Sequence, residues 1–412
     1  MTPPDKNNIS LLSVSTDRPS HRYAAGEKVS FRITAKQNGT ADVKILTDGR
    51  RILHLQQLKL QADKPESVQY TADTPGFIRC KVTLGEETAQ STAAIDPEQI
   101  RAKLPPRKDF NSFWEKMLAQ SKTLPADFKM TPDDSATIKG FDFYRVSVSN
   151  IYGKRTHGFL TIPKNVYGPI PLLVTVAGYG PGFNAQSMWA RRDFYGVWKA
   201  PVCTLCINIH EFAPPDKSED LKAAYEVFLR ENGNRHYYTI GMDRPERSYL
   251  CRAIMGCLRL AGEVIAMPCI DREHVVWAGS GQGGDFGIYL ASLSDCFTAA
   301  VIGVPGYCNT GNPDPAEPPV LGCLPEFRDN TEEQRLFDCI HHAARVQIPV
   351  LLTVGYVNDT NFPSAAYPVL RALKGERLVL ELTGQSSVNG NTPHMHMIRA
   401  WLRSQLNLQG EV

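Results

Sequence analysis

Residues 276–286 read VWAGSGQGGDF. An apolar, β-prone run enters a cluster of glycines and leaves it as a helical segment of small residues, the pattern of a sharp strand-to-helix elbow. Such a turn presents its central residue at the mouth of a crevice and needs small residues two places to either side, where strand and helix pass closely. The spacing Gly279-Ser280-Gly281-Gln282-Gly283 makes Gly281 the centre. A glycine carries no side-chain atom for chemistry, so the neighbouring sequence has to decide what this elbow does.

Outward from the elbow the pattern is α/β. The runs FYRVSVS, RTHGFLTIP, PLLVTVAGYG, CTLCINIH, HVVWAG, AAVIGV, IPVLLTVGY and RLVLEL read as strands, the later ones apolar on both faces. Helical segments lie between them, notably 248–266 with Leu250, Ile254, Leu258, Ala261 and Ile265 at helical spacing. DFNSFWEKMLAQS forms an earlier amphipathic helix with Phe110, Phe113, Trp114 and Leu118 on one side. Alternating strands and helices predict a mostly parallel sheet covered on both faces.

The first hundred residues differ. Val29, Phe31 and Ile33 alternate inward, Asn38-Gly39 and Asp48-Gly49 give turn signals, and alternation resumes at Val43 and Ile45 and again in GFIRCKVTL at 76–84. The division expected is an Ig-like β-sandwich over 1–98, a linker over 99–107 containing Pro105-Pro106, and an α/β unit over 108–412. The two units are expected to fold separately.

Composition narrows the function. The 45 basic and 43 acidic residues leave a net charge of +2, which gives no broad field for nucleic acid or anionic membrane. No apolar run reaches the roughly 20 residues that span a bilayer. The start, MTPPDKNN, is polar rather than signal-like. A chain that had lost an export signal would look the same, so a periplasmic or secreted location stays open. Cys203 and Cys206 form a Cys-x-x-Cys, but strand alternation points them to opposite faces, and with Cys251, Cys257 and Cys269 they read as small core residues. The reading calls for no metal and no cofactor.

In parallel sheets the reactive groups stand at the carboxyl ends of strands. The elbow ends one strand, GYVNDTNFPS at 355–364 ends another, and LTGQSSVNGNTPHMH at 382–396 follows the last. That is the chain order of the serine, acid and histidine of a hydrolase triad. Five blocks then resemble the acetyl-xylan esterase and cephalosporin-C deacetylase family, carbohydrate esterase family seven of the α/β-hydrolases. DFNSFWEKMLA is similar to the family's opening Asp-Phe-x-x-Phe-Trp helix. GKRTHGFLTIPK also matches, VAGYG is like its His-Gly-Tyr oxyanion loop, GSGQGG is like its Gly-Gly-Ser-Gln-Gly-Gly elbow, and FDCIHHAARVQIPVLLTVG is like the segment before its acid. The resemblance covers roughly 104–406 and implies the α/β-hydrolase fold, with an acylated carbohydrate or related small molecule as ligand. Assembly of identical chains stays open.

Carried over residue by residue, the family's triad falls on replaced positions. The QGG anchor makes Gly281 the counterpart of the serine, and VGYVNDTNFPS makes Asn358 the counterpart of the acid. Counting back from RAWL puts Ser386 or Ser387 where the histidine stands. A glycine cannot attack a carbonyl, an amide cannot supply the charge that stabilises an imidazolium, and a serine is no base near neutral pH. The resemblance leaves the oxyanion donors, the backbone N–H groups of Tyr179 and Gln282, which need no particular side chain. A single replacement of a serine at 281 accounts for Gly281 but not for Asn358 or Ser387.

An active alternative uses displaced residues: Ser280, Asp359, and His394 or His396. Against it, an elbow centred on Ser280 puts Gln282 where a small residue is needed. His394 and His396 are two apart, a poor match to a shared helical metal site, and read as surface histidines. His341-His342 reads likewise, at the start of a polar helical turn. His210-Glu211 stands where the family commonly has Asp-x-Arg-Gly, with a structural role and a catalytic one both open.

Overall fold

The computed structural model describes residues 11–136, 138–185, 187–310, 330–390 and 392–408. The alternation read at the N-terminus produces two sheets. Lys28–Ala35 lies between Leu12–Thr16 and Glu66–Thr71 in a three-stranded sheet. A five-stranded sheet runs Arg22–Tyr23, Glu87–Ile95, Gly76–Leu84, Gly39–Thr47, Ile52–Leu60. Phe31 and Ile33 of the first share one hydrophobic cluster with Val43, Ile45, Cys80 and Val82 of the second.

The rest of the chain builds a nine-stranded sheet in the order Arg377–Leu382, Val350–Gly355, Ala299–Gly303, Ile270–Ser280, Ile170–Val176, Cys203–Asn208, Arg155–Pro163, Phe141–Ser149, Lys129–Pro132. The first six are mutually parallel and the last three antiparallel. Their continuous apolar runs are explained by burial on both faces. Cys203 packs in the cluster on one side, with the helix Tyr249–Ile265, and Cys206 packs on the other, with Phe159 and Trp189. The helix Phe110–Lys122 buries Phe110, Phe113, Trp114 and Met117.

One histidine reading is corrected. His341 and His342 are buried rather than on a surface turn. On the short helix Cys339–Ala343, His342 stands edge-on to the rings of Phe110, Trp114 and Tyr289 at 4.9, 5.0 and 4.9 Å, with Nδ1 2.6 Å from Ser292 Oγ. These partners come from distant parts of the chain, so local polarity gave no sign of them.

The two units meet along a buried seam. Alternation in Gly76–Leu84 turns Ile78, Cys80 and Val82 into the sandwich and Phe77 and Arg79 outward. That outer face packs on the α/β unit, where Phe77 meets Tyr356 and Tyr367 at ring separations of 5.1 and 5.6 Å. Arg79, only 1% exposed, donates to the carbonyls of Tyr356 and Asn358, both at 3.1 Å, and pairs with the Asp359 carboxylate. Arg22 pairs with Glu381, and Asp48 accepts from Ser364 N at 2.8 Å.

Removing a buried guanidinium strands the carbonyls it satisfies. Arg79→Ala should therefore lower the unfolding free energy by about 2–4 kcal/mol in denaturant titration. A loss under about 1 kcal/mol would mean that water replaces the guanidinium and that the seam is loosely packed.

Candidate active site

The strand Ile270–Ser280 and the helix Gln282–Leu293 are joined by one residue, Gly281, with φ 57° and ψ −123°. This is a strained region for any residue with a side chain. The flanking glycines are there for contact: a Cβ on Gly279 would lie 2.3 Å from Gly283 O, and one on Gly284 would lie 2.7 Å from Gly303 O. A Cβ on Gly281 itself would meet only Asn361 Nδ2, at 3.4 Å. The turn thus has room for a side chain that the sequence does not supply. Ser280 ends the strand, its Oγ beside Gly303 of the neighbouring strand.

Gly281 opens onto a cleft of about 610 Å³ lined by Gln90, Ser280, Val304, residues 357–361, Ser386 and Ser387. Gly281, Asn358 and Ser387, the positions that the sequence aligns with a triad, therefore share one cleft. Asn358 ties two loops together: its Nδ2 donates to Ser386 O at 2.8 Å, and its Oδ1 accepts from the N–H groups of Thr360 and Asn361 at 2.9 and 2.7 Å. An aspartate there could accept the last two but could not donate to Ser386 O. Gly355 lets this loop cross the strand end, since a Cβ on it would lie 2.0 Å from Ser386 O.

The displaced set is only partly gathered. Ser280 and Asp359 line the cleft, but Asp359 is paired with Arg79 of the sandwich, and its carbonyl accepts from Arg50 at 2.7 Å. His394 and His396 lie in the first turn of the helix Pro393–Gln405, outside the cleft lining. His396 is exposed, whereas His394 is half-buried with its Nδ1 unpartnered. A second cleft, of about 670 Å³, runs along the seam beside Asp48, Arg51, Lys103 and Phe362 and contains none of the candidate residues.

Gln282 and Tyr179, the residues expected to supply oxyanion donors, are braced by neighbouring loops. Gln282 begins the elbow helix, so its N–H has no acceptor within the helix. Its buried side chain donates to the carbonyls of Ala177 and Gly178 at 3.1 and 3.2 Å and accepts from Tyr237 Oη. Tyr179 follows, its ring 5.2 and 5.3 Å from His236 and Tyr237 and nearly parallel to both. The next carbonyl, Gly180 O, accepts from His210 Nε2 at 2.8 Å, while His210 Nδ1 accepts from Tyr249 Oη at 2.8 Å. His210 is thus a neutral strut for this loop, held to a pKa of about 4 by burial among Phe212, Phe228 and Tyr237. Its neighbour Glu211 pairs with Arg252 and Lys154, away from the loop.

Sequence reasoning missed Arg79, Gln90 and Asp285. Asp285, buried in the elbow helix, accepts from Gly306 N and Tyr307 N at 2.7 and 3.1 Å, and burial pushes its carboxyl up to about 6. Among the described residues, no group of three or more His, Cys, Asp or Glu is placed to hold a metal. Nor is any described helix long and apolar enough to cross a membrane.

The buried His210 makes a pH prediction. Below its ordinary pKa of 6.5 the unfolded chain takes up a proton that the folded chain refuses until about pH 4, so stability falls as pH falls through that window. Asp285 and Asp338, raised to about 6 and about 7, act in the opposite direction, so the histidine's share is read by difference. Between pH 7.5 and 5 the wild type should lose roughly 2 kcal/mol more than His210→Gln in parallel denaturant titrations. Equal losses would place a protonated His210 in the folded state.

Comparison with known proteins agrees with this architecture. The family model for acetyl xylan esterase (AXE1) matches residues 97–311, just over half of the chain. Acetyl esterase Axe7A of Xylanibacter ruminicola is 24% identical over 348 residues, which cover 82% of this chain and 76% of that one. Acetyl xylan esterase 1 from a Thermoanaerobacterium species superposes with a TM-score of 0.63 at 14% identity, covering 75% of this chain and 97% of its own. The enzyme from Paenibacillus sp. R4 gives 0.61 at 18% identity, with 75% and 98% covered. At these identities the structural likeness speaks to the fold, an α/β-hydrolase. The chain belongs to the acetyl xylan esterase family.

Proposed function

We propose that this protein binds an acylated carbohydrate or a related small ligand in the elbow cleft and is impaired as an ester hydrolase. The observation that carries the reading is Gly281 at the turn where the fold presents its nucleophile. Losing the nucleophile alone costs about a millionfold in turnover in a model serine hydrolase. Asn358, committed to holding its own loop, offers no negative charge, and Ser387 offers no base. The N–H groups of Tyr179 and Gln282 are backbone donors, independent of these replacements, and the helix N-terminus that directly follows Gly281 of the cleft favours an acceptor oxygen. The relatives named above are called acetyl esterases and acetyl xylan esterases, which supports an acetylated sugar as the class of ligand.

The reading competes with catalysis by Ser280, Asp359 and His394 or His396. The pairing of Asp359 with Arg79 and the position of the two histidines outside the cleft lining count against that alternative. Hydrolysis of p-nitrophenyl acetate decides between them. The wild type should match a heat-denatured control, and saturable turnover that Ser280→Ala abolishes would establish the displaced triad instead.

Restoring the hydroxyl alone should also do little. Triad members act as a unit, so Gly281→Ser should gain less than about tenfold, while the triple variant Gly281→Ser, Asn358→Asp, Ser387→His should gain far more. A large gain from the single substitution would show that a base and an acid already stand behind the turn.

A further inference from the structure

We propose that the N-terminal sandwich forms one wall of the cleft and that Gln90 contacts the ligand there, its amide reading the hydroxyl groups of an uncharged sugar. The inference rests on the cleft being a binding site, and it adds the residue that sets specificity and the part of the chain that supplies it. The argument begins with strand periodicity. Gly76–Leu84 and Glu87–Ile95 pair antiparallel with Arg79 opposite Thr92 and Lys81 opposite Gln90. Residues two apart share a face, so Gln90 lies on the same outward face as Thr92. Thr92 Oγ1 accepts from Arg79 Nε at 3.3 Å, on the face that carries Arg79 into the loop 356–359. The buried seam therefore fixes Gln90 against the same loop, and its side chain lines the cleft beside Asn358 and Ser387.

The second observation is chemical. Among the described residues, the Gln90 amide has no hydrogen-bond partner, and neither do the hydroxyls of Ser280, Thr360, Ser386 and Ser387 that line the same cleft. The only charged group in the lining is Asp359, which Arg79 already pairs. An anion would find no unpaired cation in this lining, and a cation only a carboxylate already neutralised. Neutral donors and acceptors spread over the walls, with Val304 and Val357 as the apolar part, match a ring that presents hydroxyls along its edge and C–H groups on its face. An amide is a donor and an acceptor at once, which lets Gln90 meet a hydroxyl of either orientation.

The test is calorimetric titration of the full chain with an acetylated xylo-oligosaccharide. Gln90→Ala should weaken binding about 5- to 10-fold, the scale of a hydrogen bond made in water-exposed surroundings, with an unchanged Tm. Lys81→Ala, its exposed cross-strand neighbour outside the lining, should bind as the wild type does. If the wild type binds and Gln90→Ala binds equally well, the role of Gln90 is overturned while the cleft remains a site. If the wild type does not bind, the cleft reading falls and the role of Gln90 falls with it.

Discussion

Everything at the centre of this molecule depends on a chain reversal made by one residue. Between Ser280 and Gln282 the backbone passes from strand to helix through a positive φ at Gly281, with the helix so close to its own strand at Gly279, and to the neighbouring strand at Gly284, that neither glycine admits a Cβ. The constraint is steric and indifferent to chemistry, so it explains why an elbow keeps its shape when the residue at its apex changes. In an active hydrolase the apex side chain is held in strain, and the fold supplies the energy to hold it. With glycine there the strain is relieved, because glycine visits positive φ at little cost. The helix Gln282–Leu293 still begins directly after Gly281, which lines the cleft.

The second dependency joins the two units. Arg79 leaves the sandwich to satisfy the carbonyls of Tyr356 and Asn358, and Asp359 turns to meet it. The loop 356–361 is therefore held from both sides, by Arg79 and by the hydrogen bonds of Asn358 to Ser386, Thr360 and Asn361. Asn358 thus serves the architecture of the cleft, and a carboxylate in its place would lose the donor that reaches Ser386. The loop that carries Tyr179 has a corresponding support in His210, a neutral histidine whose ring bridges Tyr249 and the carbonyl of Gly180.

Much of this was legible in the sequence because it is local or periodic. The glycine spacing placed Gly281 at the turn, two-sided apolar runs gave the parallel strands, and counting from fixed blocks brought Asn358 and Ser387 to the same cleft as Gly281. What escaped was the outer face of the sandwich. In GFIRCKVTL the alternation assigns Phe77 and Arg79 to the side away from the sandwich core, which in an isolated unit would be solvent. A phenylalanine on that side was the available signal, and its meaning depended on partners nearly three hundred residues later. The same limit hid the burial of His341 and His342 and the pairing of Asp359, whose proximity to the acid position made it look available.

Occupancy without turnover has two halves, and one proton NMR experiment addresses both. The wild-type protein would be incubated with an acetylated xylo-oligosaccharide, following saturation transfer from protein to the acetyl methyl and the growth of the free acetate signal over time. Saturation should pass to the methyl group while free acetate grows no faster than in a protein-free sample. Acetate released at a rate that saturates with ligand, or the absence of transfer at high ligand concentration, would contradict it.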